Sequence, residues 1–86
     1  MGKHALVTGS SSGIGRSVVL ALAKAGFSVA INYASRQKAA EEVAAEARAF
    51  GVDAITVRGD VGNPSDVDAL IGAVGEHFGS LDVLVN

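Results

Sequence analysis

Thr8-Gly9-Ser10-Ser11-Ser12-Gly13-Ile14-Gly15 is the stretch on which the reading of this 86-residue chain turns. It lies between a short apolar run, His4 to Thr8, and a segment in which Ile14, Val18, Leu22 and Ala25 recur at helical spacing. A buried strand that runs through a Gly/Ser turn into a helix puts backbone N–H groups and the positive end of a helix dipole at one point, where a phosphate can be held. In such a turn Gly9 permits the tight bend, Gly13 lets the backbone approach a pyrophosphate, and Gly15 lets helix and strand pack closely. One helix terminus gives an anion only about 0.3 to 1 kcal/mol, so several donors must act together.

Outward from this turn, the elements alternate. Gly26 stands where a left-handed cap would end the first helix. Ser28 to Tyr33, with Val29, Ile31 and Tyr33 on alternate positions, reads as a second strand, and Ala34 to Gln37 as a polar turn. A second helix carries Ala40, Val43, Ala44, Ala47 and Phe50 on one face and ends at Gly51. Asp53 to Gly59 reads as a third strand. The third helix has Asn63 as N-cap, Pro64 at its first position, and Asp66 and Asp68 near the positive end of its dipole. Its apolar face is Val67, Leu70, Ile71, Val74 and Phe78. The run Leu81, Val83, Leu84, Val85 has the apolar character of a central parallel strand, with Asp82 as the exception.

The pattern β-α-β-α-β-α-β predicts an α/β fold, a doubly wound parallel sheet of Rossmann type. Right-handed crossovers place the first two helices on one face and the third on the other, for a strand order of 3-2-1-4. Residues 1–86 then form the N-terminal part of a single nucleotide-binding domain.

Composition narrows the partners. A net charge of −2 gives no general attraction to nucleic acid or anionic lipid. Without cysteine there is no disulfide framework and no thiolate zinc site, and His4 and His77 are the only imidazoles. The longest apolar run, Val18 to Ala23, is far shorter than the roughly 20 residues a spanning helix needs. A cytoplasmic protein that holds neither metal nor membrane is expected.

The spacing Gly-x-x-x-Gly-x-Gly resembles the Thr-Gly-x-x-x-Gly-Ile-Gly motif of the short-chain dehydrogenase/reductase family. Asp60-Val61 after the third strand and Leu84-Val85-Asn86 in the fourth also resemble that family, so the likeness covers the whole chain. It implies that backbone groups around Ser12, Gly13 and Ile14 face a pyrophosphate, and that Ser10, Ser11 and Ser12 lie near the adenosine ribose. It further implies that Asp60 accepts from the adenine amino group, that the N–H of Val61 reaches the ring, and that Asn86 is mainly a structural hydrogen-bonder. The plain alternative for Asp60 is a solvated carboxylate at a strand end.

In an NAD-binding unit an acidic residue about 20 positions past the turn bonds the ribose 2′-hydroxyl and repels a 2′-phosphate. That place is Tyr33, followed by Ala34, Ser35, Arg36 and Lys38, so the site reads as able to accept a phosphate, with NADP the first choice and NAD the alternative. Against a full phosphate clamp, Ser12 stands where many NADP-using members carry a basic residue. Arg36 and Lys38 also fit a solvated helix start.

The resemblance implies a ketone or secondary alcohol as substrate and a homo-oligomeric parent protein. Ile31 to Ser35 and Gly79 to Asp82 look most like carrier-protein 3-oxoacyl reductases, then glucose-type sugar dehydrogenases. The family's catalytic Ser and Tyr-x-x-x-Lys lie beyond the fourth strand, and Tyr33, with Gln37 four positions on, is not that pair. No residue is expected to be catalytic. His77 is expected to serve the free carbonyls at the end of the third helix, and His4 to serve the strand entrance. Such a truncated chain is expected to be marginally stable or prone to association through its fourth strand. A non-catalytic nucleotide-binding or interaction module would satisfy the same residues. A methyltransferase or flavoprotein unit fits less well, given Tyr33 and the glycine spacing.

Overall fold

The structure, a computed structural model, describes residues 3–10 and 13–86. The expected alternation is present: β1 (Lys3–Val7), α1 (Gly13–Lys24), β2 (Phe27–Tyr33), α2 (Gln37–Arg48), β3 (Ala54–Arg58), α3 (Pro64–Phe78) and β4 (Val83–Val85). All strand pairs are parallel, in the order β3-β2-β1-β4. Leu6 is aligned with Ala30 on one side and Leu84 on the other, so β1, like β2, is an interior strand.

Side-chain alternation along β1 and β2 divides the interior into two layers. Ala5, Val7, Val29 and Ile31 point to the face covered by α1 and α2, where they pack with Val19, Ala23, Ala40, Val43, Ala44 and Ala47. Leu6 and Ala30 point to the opposite face and meet Leu70 and Val74 of α3. This is the distribution of helices that right-handed crossovers require. The small residues of α2 let it lie close to the sheet, and Arg16 of α1 forks onto the Glu46 carboxylate of α2 across the helix pair.

The ends of the elements follow local chemistry. Asn63 Oδ1 accepts from Ser65 N–H at 3.0 Å, with Pro64 in the first helical position, and Gly79 in the left-handed region closes α3. Asp82, the one charge in the fourth apolar run, has a structural task at the start of β1. Its Oδ2 accepts from His4 N–H at 2.9 Å, and its own N–H donates to the His4 carbonyl. His4 is stacked on Phe78 at 4.7 Å between ring centroids, with Nδ1 3.0 Å from Ser80 Oγ. The expected role at the strand entrance is therefore the one observed.

Three expectations need correction. The buried stripe of α1 is Val19 and Ala23 flanked by Val18 and Leu22, whereas Ile14 is 84% exposed and Ala25 is exposed beyond the last turn. The contact of Gly15 with β1's end turns the helix so that positions 15, 19, 22 and 23 face the sheet. Phe50 lies past the end of α2 and is 49% exposed rather than part of its inner face. His77 Nε2 is 3.1 Å from Asp53 Oδ2, so this histidine is paired with a carboxylate at the entry to β3 and not with the helix-end carbonyls.

Replacing a fully buried side chain leaves a cavity, whereas trimming an exposed one does not. Leu6→Ala is expected to lower the unfolding free energy by about 2–5 kcal/mol, and Ile14→Ala to change it by no more than about 0.5 kcal/mol. Urea titrations of the two variants check this.

Candidate functional site

The carboxyl ends of the four strands converge on one edge of the sheet. There α1 leaves β1 toward one face, while α3 lies on the other. In open α/β sheets the point where strand order reverses leaves a crevice between such helices. Here that point lies between β1 and β4, with the Gly9–Gly15 turn at its rim.

Gly9 has φ of +59°, the left-handed conformation needed to turn the chain out of β1. A Cβ on Gly15 would fall 2.7 Å from the Gly9 carbonyl oxygen and 2.8 Å from Ser10 Cα. Only glycine lets the first turn of α1 rest on the turn that precedes it. The bend is thus seen in the φ of Gly9, and the close packing at Gly15 is against the turn that follows β1. Ser11 and Ser12 lie outside the described residues.

What holds the turn is a residue that the sequence pattern did not single out. Asn32 is 2% exposed in β2, on the face opposite Ile31 and Tyr33. Its Oδ1 accepts from Gly9 N–H at 3.1 Å, and its Nδ2 donates to the carbonyls of Val57 and Gly59 at 3.2 and 3.1 Å. The Asn32 N–H donates to Ser10 Oγ, whose own hydroxyl donates to Val7 O at 2.6 Å, and Ser10 N–H donates to Asn32 O. The signal available in the sequence was a short carboxamide inside an otherwise apolar strand, which must be satisfied by partners if buried.

These bonds determine which donors remain for a ligand. The N–H groups of Gly9 and Ser10 are occupied internally, and Ser10 is fully buried. Its hydroxyl, bonded to Val7 O, shapes the turn. The first four N–H groups of a helix have no partner within it, so those of Gly13, Ile14 and Gly15 at the start of α1 have no intrahelical acceptor.

The other expected residues fall into two groups. Ala34 and Asp60 line a cleft of about 380 Å³ together with Arg58, Gly59, Asp66 and Ala69. Asp60 Oδ1 accepts from Gly62 N–H at 2.9 Å, and Asp60 N–H donates to Asp66 Oδ2 at 3.0 Å, which fixes the turn between β3 and α3. Val61, Thr8 and Asn86 line a second, smaller and more apolar cleft with Leu6, Leu70 and Leu84. There Thr8 Oγ1 donates to Asn86 Oδ1 at 2.9 Å, which gives Asn86 the structural bond expected of it. Tyr33 is only 9% exposed, its side chain packed into the layer beneath α1 and α2. Its position at the end of β2 is as expected, but its ring faces the core. Ser35 and Arg36 are exposed at the start of α2, where Arg36 occupies the N-cap position and makes no side-chain capping bond.

The donor set fits a dinucleotide at its adenosine and pyrophosphate end. Helix-start amides stand at the crevice, no carboxylate occurs from Gly9 through Ala40, and cations stand at positions 36, 38 and 58. Among the described residues there is no cluster of His, Asp or Glu able to hold a metal, and no helix long and apolar enough to cross a membrane.

Comparison with known proteins agrees with this geometry. The family model described as short chain dehydrogenase matches residues 3–86. A 3-oxoacyl-(acyl-carrier-protein) reductase of Staphylococcus aureus is 51% identical over 86 residues, all of this chain and 35% of the relative. Versicolorin reductase of Emericella nidulans is 46% identical over 83 residues, 96% of this chain and 31% of the relative. Among solved structures, a short chain dehydrogenase from Burkholderia cenocepacia in complex with NADP superposes with a TM-score of 0.96 at 43% identity, covering 100% of this chain and 35% of that one. Acetoin dehydrogenase from Salmonella typhimurium superposes with a TM-score of 0.94 at 41% identity, covering 100% and 36%. The chain thus spans about a third of the length of the relatives it matches.

Asn32→Leu keeps the size of the buried side chain but removes the partners of Gly9 N–H and of the Val57 and Gly59 carbonyls. Each orphaned group costs about 1–3 kcal/mol, so the variant is expected to lose about 3 kcal/mol or more of stability. Chemical denaturation measures that loss, and amide hydrogen exchange is expected to become markedly faster at Gly9. A loss below about 1 kcal/mol would contradict the role given to Asn32.

Proposed function

The chain belongs to the short-chain dehydrogenase family, and on that premise we propose that it is the nucleotide-binding part of an NAD(P)-dependent oxidoreductase, with NADP preferred. Residues 1–86 are read as the N-terminal part of one Rossmann domain. The observation that carries the reading is the β1–α1 turn, pinned by Asn32 and closed by Gly15, which presents the start of α1 to the crevice at the strand ends.

In this reading the N–H groups of Gly13 and Ile14, with the adjoining Ser12, face the pyrophosphate, and Ser11 lies toward the adenosine ribose. Gly9, Ser10 and Gly15 shape the turn. Ala34, Ser35 and Arg36 surround the ribose at the end of β2, where Tyr33 contributes backbone rather than its ring. Asp60 accepts from the adenine amino group, and Val61 N–H reaches the ring.

The preference for NADP is supported by the residues at the β2 end, where no acidic side chain stands to bond a 2′-hydroxyl and repel a phosphate. The Burkholderia cenocepacia neighbour, solved in complex with NADP, points the same way. When bound, the nicotinamide ring gives or receives a hydride. This chain binds and orients the dinucleotide, and the proton-transfer residues belong to the rest of the protein. For the whole protein the substrate is a ketone or secondary alcohol, and the Staphylococcus aureus relative favours a 3-oxoacyl group. A cytoplasmic homo-oligomer completes the reading.

Calorimetric and thermal-shift titrations of the 86-residue chain with NADP and NAD test it. Binding of both, NADP more tightly, is expected. Failure of a folded chain to bind either would contradict a nucleotide site built by this part, and tighter binding of NAD would contradict the preference.

A further inference from the structure

Arg58, the last residue of β3, is aligned with Tyr33, the last residue of β2. Thr56, two positions earlier and on the same face, donates to Glu41 of α2, which places Arg58 on the α2 side of the sheet. From there its Nε donates to the carbonyl of Ala34 at 3.4 Å, and Arg58 is among the residues lining the cleft shared by Ala34 and Asp60. It therefore stands beside the segment that follows β2, approached from the neighbouring strand.

An exposed arginine commonly settles on a carboxylate. Two line the same cleft, where Asp60 Oδ1 accepts from Gly62 N–H and Asp66 Oδ2 from Asp60 N–H, and neither is paired with Arg58 among the described residues. Arg58 takes part in no ion pair among the described residues, and its only side-chain hydrogen bond there is the long one from Nε. Among these residues its two terminal nitrogens have no partner. A guanidinium so placed presents a planar fork that matches a phosphate, which an ammonium does not.

Toward the start of α2, away from Asp60 and Asp66, the residues are those of an anion site. Arg36 and Lys38 are exposed there, and the first turn of α2 holds no acidic residue. The turn from Thr8 to Gly15 holds no cation at all, so a phosphate at the ribose edge must find its positive partners elsewhere.

We propose that Arg58 is a specificity-determining residue that, with Arg36, clamps a phosphate on the 2′-oxygen of the ligand's adenosine ribose and so selects the 2′-phosphorylated dinucleotide. This rests on the nucleotide-site reading above. Two strands then supply one clamp: Arg36 from the β2–α2 connection and Arg58 from the end of β3, with the Ala34 carbonyl holding the latter in place.

Adenosine 2′,5′-bisphosphate and 5′-AMP differ only in the 2′-phosphate and contain no nicotinamide half. Titration of the chain and of its Arg58→Gln and Arg58→Lys variants with both ligands, each protein first checked by its amide spectrum, isolates the contact. The unsubstituted chain is expected to prefer the bisphosphate, and Arg58→Gln to weaken that ligand about tenfold while 5′-AMP affinity is unchanged. Arg58→Lys, which keeps the charge without the fork, is expected to fall between.

Equal affinity of Arg58→Gln and the unsubstituted chain for the bisphosphate would overturn the proposal alone, as would an equal loss of both ligands. Absence of binding of either ligand to the folded, unsubstituted chain would overturn the nucleotide reading and the proposal with it.

Discussion

The carboxamide of Asn32 joins three strand ends that would otherwise diverge. One side accepts the Gly9 N–H at the exit of β1, and the other donates to Val57 and Gly59 at the exit of β3. Its backbone holds Ser10 from both directions. Parallel strands leave polar groups unpaired where the chain turns away. Buried groups of that kind cost far more than a satisfied bond returns. Because one amide satisfies several of them, the β1–α1 turn is fixed to β2 and indirectly to β3, and α1 starts from a fixed point.

The division of labour at the crevice follows from this anchoring. Gly9 and Ser10, although part of the glycine-rich motif, spend their N–H groups on the protein itself, whereas the first N–H groups of α1 have no intrahelical partner. Gly15 adds a second condition, since any side chain there would meet the Gly9–Ser10 backbone and lift the helix from the turn. The direction of α1, and hence of its first N–H groups, is set by a hydrogen-bonded asparagine on one side and an absent Cβ on the other. On the far side of β2, Ala34, Arg58 and Asp60 line the cleft where the ends of β2 and β3 meet the β3–α3 turn.

Much of this was legible in the residues because several independent signals coincided. The alternation of apolar runs, the glycine turn, Asn63-Pro64 before α3, and the glycines after the helices all predict the same element order, and the sheet has the expected order β3-β2-β1-β4. Less legible was anything that depends on rotation about an element's own axis or on a partner distant in sequence. Ile14 fits the helical period of α1 yet faces outward, because the contact of Gly15 rather than the period sets the helix's orientation. Tyr33 reads from its position as a ribose neighbour, but strand alternation turns its ring into the core. Asn32 and Arg58 carry no motif, and their importance arises from partners more than 20 positions away. His77 found Asp53 across the fold by the same route.

The central claim is that the carboxyl ends of the strands, organised by Asn32, form one nucleotide site. The most direct test is a two-dimensional amide spectrum of the 15N-labelled chain recorded as NADP is added. The account predicts shifts concentrated in Ser11–Gly15, Ala34–Arg36 and Arg58–Val61, with His4 and His77 at the opposite end of the sheet unmoved. Shifts centred on the His4, Ser80 and Asp82 end, or spread evenly over the chain, would contradict it.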